Sequence, residues 1–539
     1  MSGSGIVPPL RPGLAAGARA FRAQGDWRDR QIKQLLAAEL AADPDRIVAR
    51  DGARLLTVRG LDEQARRLAG WMRAQGVGEG DVVAFQLPNW LEVFVIDMAA
   101  ALLGAVSNPI VAIYRDAEVE FILRDARAKL FFAPVSFRSM DFAGMMARIG
   151  PRLPDLKAFV TVRGASELDY EAVLAGAMPV ARGVPVSPDA PRLLLYTSGT
   201  TGRAKGVLHS VNTLTCEIAN ASAYWRQQRG DIMLMPSPLT HITGYLYGIL
   251  FAELAGLTTV LMDRWDAAEA LGLIEQYEIG AMVAATPFLQ ELAAAARGRG
   301  SRLPSLRLFA CGGAPAAPET IRQATEAFER CIVLRVYGCT EAPTITLGAM
   351  ERGSAAASGT EGYVVGHEVR LIDADGAEVT TGEEGEIVAR GPEVMLGYLR
   401  AEDNEAAFDA EGYFHTGDLG RFDAEGALTI TGRAKDLIIR GGENIAPKEI
   451  EDVLHRHPAI MEAAVVGMPH ARLGEAPCAF LVLAEGAAVS REEVKAFLDA
   501  AGLAKQKIPE RVEFRDLLPK TAAGKVQKFV LRDALAAGD

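Results

Sequence analysis

Cysteine is scarce in this chain, five in 539 residues. Cys216, Cys311, Cys331, Cys339 and Cys478 are odd in number and form no C-x-x-C pair. That suits reduced thiols better than a disulfide framework. Positive charge is in deficit too. Lys and Arg total 57 against 69 Asp and Glu, giving a formal charge of −12 with no Lys/Arg run. This argues against a nucleic-acid partner, because phosphate binding is driven by basic surface. Long apolar runs are missing as well. The most apolar stretch, "VFVIDMAAALLGAVSNPIV", is broken by Asp97 and Asn108 and is too short to span a bilayer. No apolar signal segment opens the chain, although its first residues are arginine-bearing and poor in acids, as transit peptides are. No internal repeat or low-complexity tract is present. A cytoplasmic protein is expected.

What remains is ordinary globular composition, 49% hydrophobic and 23% charged. The length holds about three to four domains' worth of chain. "DVVAFQLPN" and "LKAFVTVRG" read as strands, and from about residue 190 so do "PRLLLY", "DIMLMPSP", "GAMVAATP", "LRLFACGG" and "CIVLRVYG". Helical spacing in "ALGLIEQY", "FLQELAAAARG" and "PETIRQATEAF" separates them. Such alternation predicts an α/β fold, a mostly parallel sheet covered by helices on both faces. Between about 360 and 430 the helices thin out, and "HEVRLIDADG", "GEIVARGP" and "GALTITG" suggest a small antiparallel β subdomain. Beyond 434 the character changes again. "PKEIEDVLHRH" opens a helix at Pro447, and "SREEVKAFLDAAG" opens with a Ser490–Glu493 capping box and stops at Gly502. The expected division is a large domain over 1–434 and a small α+β domain over 435–539.

One loop carries chemistry in its composition. "YTSGTTGRAKG" follows the apolar run "RLLL". Gly199, Gly202 and Gly206 permit a sharp turn and close backbone approach to a ligand. Thr197, Ser198, Thr200 and Thr201 add hydroxyl donors, and Lys205 adds a charge. The set suits a polyphosphate held by many donors. It is not a Walker A loop, since no G-x-x-x-x-G-K-[ST] occurs here. Further on, "VYGCTEAP" places Glu341 after a strand. A carboxylate beside a triphosphate needs an intervening cation, which makes Glu341 a candidate Mg²⁺ ligand.

The loop resembles the phosphate-loop signature of the adenylate-forming superfamily of acyl-CoA synthetases, peptide-synthetase adenylation domains and beetle luciferases. It departs from that pattern at Ala204, where proline is usual. Further matching segments follow in family order, so the resemblance spans nearly the whole chain. "CGGAP" brings Gly312, Gly313, Ala314 and Pro315 to the adenine and acyl sites. "YGCTE" implies that Tyr337, beside Gly338, stacks on adenine and that Thr340 bonds the phosphate or the acyl-adenylate. "YFHTGDLG" supplies Asp418 for the ribose hydroxyls, a task for which a carboxylate accepts two donors. "GRAKDLIIRGGENIAPKEIE" supplies Arg433 near the ribose and Lys435 at the hinge between a large domain and a small mobile one. "LPKTAAGKVQK" places Lys525 where the family has its mobile catalytic lysine, which neutralises repulsion between a carboxylate and an α-phosphate.

The resemblance implies ATP, Mg²⁺ and CoA as reactants. A carboxylic acid is adenylated, the small domain then rotates, and Gly441 and Gly442 line a tunnel for pantetheine. Residues 238–248 contain no Asp or Glu, so an amino-acid substrate is not expected. His241 falls at a family position bordering the acyl site, and Tyr245, Tyr247, Cys339 and Pro343 are candidates for apolar wall. "SPLTHITGYLYG" is similar to ligases for alicyclic and aromatic acids such as cyclohexanecarboxylate, and a medium-chain fatty acid also fits. Alternatives are a free-standing ligase that loads a carrier protein, luciferase-like oxygenation, and a nucleotide-binding homologue without turnover. The proline before the last loop implies acetylation of Lys525 by a lysine acetyltransferase, which would remove its charge.

Overall fold

A computed structural model describes residues 6, 8–164, 168–181, 183–197, 203–314, 316–440, 443–470, 472–520 and 525–537. Two seven-stranded sheets dominate it. In the first, strands Ile332–Arg335, Leu308–Cys311, Ala281–Ala284, Ile232–Met235, Thr258–Leu261 and Ile47–Asp51 run parallel in that spatial order. The antiparallel strand Arg54–Thr57 closes the edge. In the second, Pro191–Thr197, Val106–Pro109, Val82–Phe85, Leu130–Pro134 and Ala158–Val162 are parallel. The expected strand–helix alternation is therefore observed, with one addition. Lys205–Ser210 pairs antiparallel with Pro191–Thr197.

The apolar stretch that is too short to span a bilayer becomes helix Glu92–Leu102, every residue of which is buried. An all-round apolar helix needs cover on every side. Here it shares the largest apolar cluster with helix Val58–Ala74 and with residues from strands of both large sheets. Among the described residues no helix is long and apolar enough to cross a membrane.

The four strands Glu368–Ile372, Gly385–Arg390, Phe414–Phe422 and Leu428–Arg433 form an antiparallel sheet. A 3₁₀ turn, Ala434–Asp436, follows it directly. Strand Ile438–Arg440 then enters a different sheet, with Glu443–Ile445, Gly474–Leu483, Ile460–His470 and Arg511–Phe514. Helix Pro447–Leu454 has proline at its first turn, and Ser490 caps Arg491–Ala500 with Glu493 answering back. This last unit has its own core of Ile438, Ile450, Leu454, Val465, Leu481 and Val494.

Candidate active site

In an open parallel sheet, ligands collect where strands end at their carboxyl edge, because loops there diverge and leave a crevice. Ser237 and Pro238 follow strand Ile232–Met235, Ala285 follows Ala281–Ala284, and Gly312 and Gly313 follow Leu308–Cys311. Together with His241, Thr243 and Phe288 they line a cleft. Gly313 has φ +79°, and a Cβ there would point into empty space. Glycine thus makes the turn and keeps the cleft open. Among the described residues no charged side chain lines it. Burial lowers His241 to about 4, so its ring is neutral at pH 7.

Of the residues expected at an acyl pocket, His241 and Gly312 line this cleft. Tyr245 does not. It lies in the π-helical turn Gly244–Leu250, fully buried, and its hydroxyl donates to Asp97 Oδ1 at 2.9 Å. Asp97 is itself paired with the buried Arg192. Tyr247 is turned inward as well, donating to Glu217 Oε1 at 2.5 Å. Cys339 packs against the apolar cluster of Val207, Ala342, Met395 and Tyr398, and burial raises its thiol well above the ordinary range.

A second group gathers around Thr197 and Lys205, described residues on either side of residues 198–202. The antiparallel register sets Lys205 opposite Thr197. The Lys205 ammonium sits 3.8 Å from Asp403 and 4.9 Å from the centre of the Tyr398 ring. Arg203 reaches Asp403 at 3.2 Å. The Tyr398 hydroxyl donates to Glu341 Oε1 at 2.9 Å, and Thr197 Oγ1 donates to the same oxygen at 3.4 Å. Glu341 is only 9% exposed and has no cation partner among the described residues. A buried carboxylate held by hydroxyls alone is costly without a counter-charge, so its chemistry fits a hard cation such as Mg²⁺. Thr340 is buried, and its carbonyl accepts from His209 Nε2 at 2.7 Å. Burial lowers His209 to about 4. Ser198, Gly199, Thr200, Thr201 and Gly202 lie outside the described residues.

The third group joins the large unit to the small one. Asp418 and Arg433 face each other across adjacent strands, with Arg433 Nε 2.7 Å from Asp418 Oδ1. Tyr337 donates its hydroxyl to the other oxygen, Oδ2, at 2.8 Å. Each oxygen keeps acceptor capacity beyond these contacts. Lys525 is half-buried beside this group. Burial and then Arg433 lower its pKa to about 8, while Asp418 and Asp436 pull the other way. Lys435 lies in the 3₁₀ turn, its pKa lowered by burial and by Arg433. Ala314 carries a carbonyl within 3.4 Å of Thr286 Oγ1. Pro315, Gly441 and Gly442 lie outside the described residues.

Sequence reading alone missed Ser237, Thr243, Ala285, Phe288, Tyr398, Asp403 and His209. The first four follow from the strand-end rule once strand order is known. Tyr398, Asp403 and His209 stand in unremarkable local sequence, and only their distant partners give them meaning.

Comparison with known proteins agrees over almost the full length. The AMP-binding enzyme model matches residues 36–399, and the AMP-binding enzyme C-terminal domain model matches 449–525. The chain is 36% identical to a medium-chain fatty-acid–CoA ligase of Escherichia coli (strain K12), covering 95% of this chain and 92% of that protein. It is 32% identical to a salicyl-AMP ligase / salicyl-S-ArCP synthetase of Mycobacterium tuberculosis, covering 95% and 92%. Among solved structures it is similar to ATP-bound MatB from Rhodopseudomonas palustris. That match has 30% identity and a TM-score of 0.81, covering 93% of this chain and 98% of that one.

Proposed function

Because this chain belongs to the AMP-binding enzyme family and is an AMP-forming acid–thiol ligase, we propose that it activates a carboxylate whose body is apolar and passes the acyl group to CoA. The uncharged cleft lined by His241, Phe288, Ala285 and Gly312 carries this reading. A further charge on the body of the acid would lose its hydration there without gaining a counter-ion. The similarity to a medium-chain fatty-acid–CoA ligase supports the same substrate class, and alicyclic and aromatic acids fit the same chemistry.

In this reading the Ser198–Gly202 loop and Lys205 hold the β- and γ-phosphates of ATP. Tyr337 and the Gly313–Pro315 turn hold adenine, and Asp418 with Arg433 orients the ribose. Glu341 would hold Mg²⁺, which when bound offsets charge on the phosphates. Thr340 donates its hydroxyl to the α-phosphate. The Lys525 ammonium lies between the attacking carboxylate and the α-phosphate, lowering their mutual repulsion as the acyl–O–P bond forms and pyrophosphate departs. Rotation about Lys435 then withdraws Lys525 and brings Gly441 and Gly442 to the tunnel, where the thiolate of CoA displaces AMP. Acetylation of Lys525 would block the first half-reaction by removing its charge.

Carrier-protein loading is the second reading, favoured by the 32% identity to a salicyl-S-ArCP synthetase. Incubation with MgATP, CoA and acids from acetate through octanoate to benzoate and cyclohexanecarboxylate separates the two. An acyl-CoA from an apolar acid, detected by mass spectrometry, is the expected result. Acid-dependent pyrophosphate release without a thioester would move the acceptor from CoA to a carrier protein.

A further inference from the structure

Strand Lys205–Ser210 carries His209, fully buried, directly behind the segment that holds Thr340 and Glu341. Its Nε2 lies 2.7 Å from the Thr340 carbonyl oxygen. A carbonyl can only accept, so Nε2 carries the proton and Nδ1 is the acceptor. Nδ1 lies 3.2 Å from Thr213 Oγ1, in the first turn of helix Val211–Tyr224. That turn is fixed in its own right, because Ser210 and Thr213 form a capping box. The imidazole therefore spans from a rigid helix start to the peptide plane between Thr340 and Glu341. The Met395 amide donates to the next carbonyl, that of Glu341, at 2.8 Å. Consecutive carbonyls, Thr340 and Glu341, are thus each held by a donor from a segment distant in sequence.

We propose that His209 is a positioning residue for adenylation: its Nε2–H fixes the Thr340 peptide so that the Thr340 hydroxyl and the Glu341 carboxylate meet the nucleotide in one geometry. The proposal rests on the adenylation reading above. Orientation of this kind has large kinetic weight, since a misplacement near 1 Å costs about 100-fold in rate. It also explains why a polar ring occupies a strand position whose neighbours Val207 and Leu208 are apolar and buried. Without a donor there, the Thr340 carbonyl would be buried with one partner fewer.

The test compares His209→Gln, His209→Asn and His209→Phe in full-length protein. Gln can bring an amide N–H near the Nε2 position, Asn only near Nδ1, and Phe neither. Acid-dependent pyrophosphate release is measured against ATP and Mg²⁺ concentration, with Tm recorded for each variant. The expected result is near wild-type kcat for His209→Gln. His209→Asn and His209→Phe should lose about 100-fold in kcat while the ATP KM moves by less than about threefold. A wild-type rate in His209→Phe would overturn the proposal, as would equal losses in the Gln and Asn variants, which would mean that ring packing matters rather than the hydrogen bond. If His209→Phe fails to fold, the Gln/Asn comparison still decides. Wild-type protein that releases no pyrophosphate with any acid would instead remove the adenylation reading, and the positioning role with it.

Discussion

Lys525 is the residue whose electrostatics make the sharpest demand. The proposed mechanism needs an ammonium between two anions, yet burial and Arg433 lower its pKa to about 8. The free enzyme holds the charged form below that value and loses it above, so kcat/KM for adenylation should fall above about pH 8 with a slope approaching tenfold per unit. Bound ATP adds negative charge beside the lysine and favours its protonated form, so the break in kcat should lie at higher pH than the break in kcat/KM. Coincident breaks, or none up to pH 10, would show that Lys525 does not set the limb. The same shift has a stability sign. The folded value lies below the ordinary 10.5, so the unfolded chain binds more protons between the two, and this group's contribution rises with pH across that window.

At the scale of elements, the segment Tyr337–Thr346 matters most. Its ends pair, with Tyr337 and Thr346 exchanging backbone hydrogen bonds. Inside it Thr344 has φ +40°, a left-handed conformation that is a genuine outlier for a β-branched residue. Such conformations persist where surrounding structure over-determines them. Tyr247 supplies part of that, with its hydroxyl 2.5 Å from Thr344 Oγ1. Gly338 supplies another part, since a Cβ there would lie 2.3 Å from the Thr344 backbone nitrogen. Gly338→Ala should therefore displace the segment, lowering Tm and reducing adenylation by about 100-fold or more. Tyr247→Phe leaves the fold intact but removes one hydrogen-bond partner each from buried Glu217 and Thr344, and should cost about 1–3 kcal/mol by chemical denaturation. An unchanged Gly338→Ala enzyme would mean the segment yields more readily than this packing allows.

At the scale of the molecule, the small unit stands in a pose that brings Lys525 beside Asp418 and Arg433. Arg532 from the last helix holds Asp436 at 3.0 Å, one residue past Lys435. A short 3₁₀ turn between two sheets is a natural place for a hinge. Proline at 435 is tolerated at the start of such a turn but fixes φ. Lys435→Pro should keep acid-dependent pyrophosphate release while thioester formation falls, measured as acyl-AMP accumulation. Equal loss of both half-reactions would point to local damage instead of a blocked rotation.

Much of this was legible in the sequence. The Gly/Thr loop and Glu341 stand in short segments whose residue types suggest a chemistry, Asp418, Arg433 and Lys525 drew their expected roles from the family resemblance alone, and strand–helix alternation announced the parallel sheets. Local spacing determines which backbone turns and which side chains a segment can offer. Only the tertiary structure decided the partners. It turned Tyr245 and Tyr247 into the core, where Asp97 and Glu217 are their acceptors. It set Tyr398 on Glu341 and placed His209 behind Thr340. Those pairs are 57 and 131 residues apart. Contacts of that separation depend on sheet order and helix packing, which no local pattern of side chains encodes.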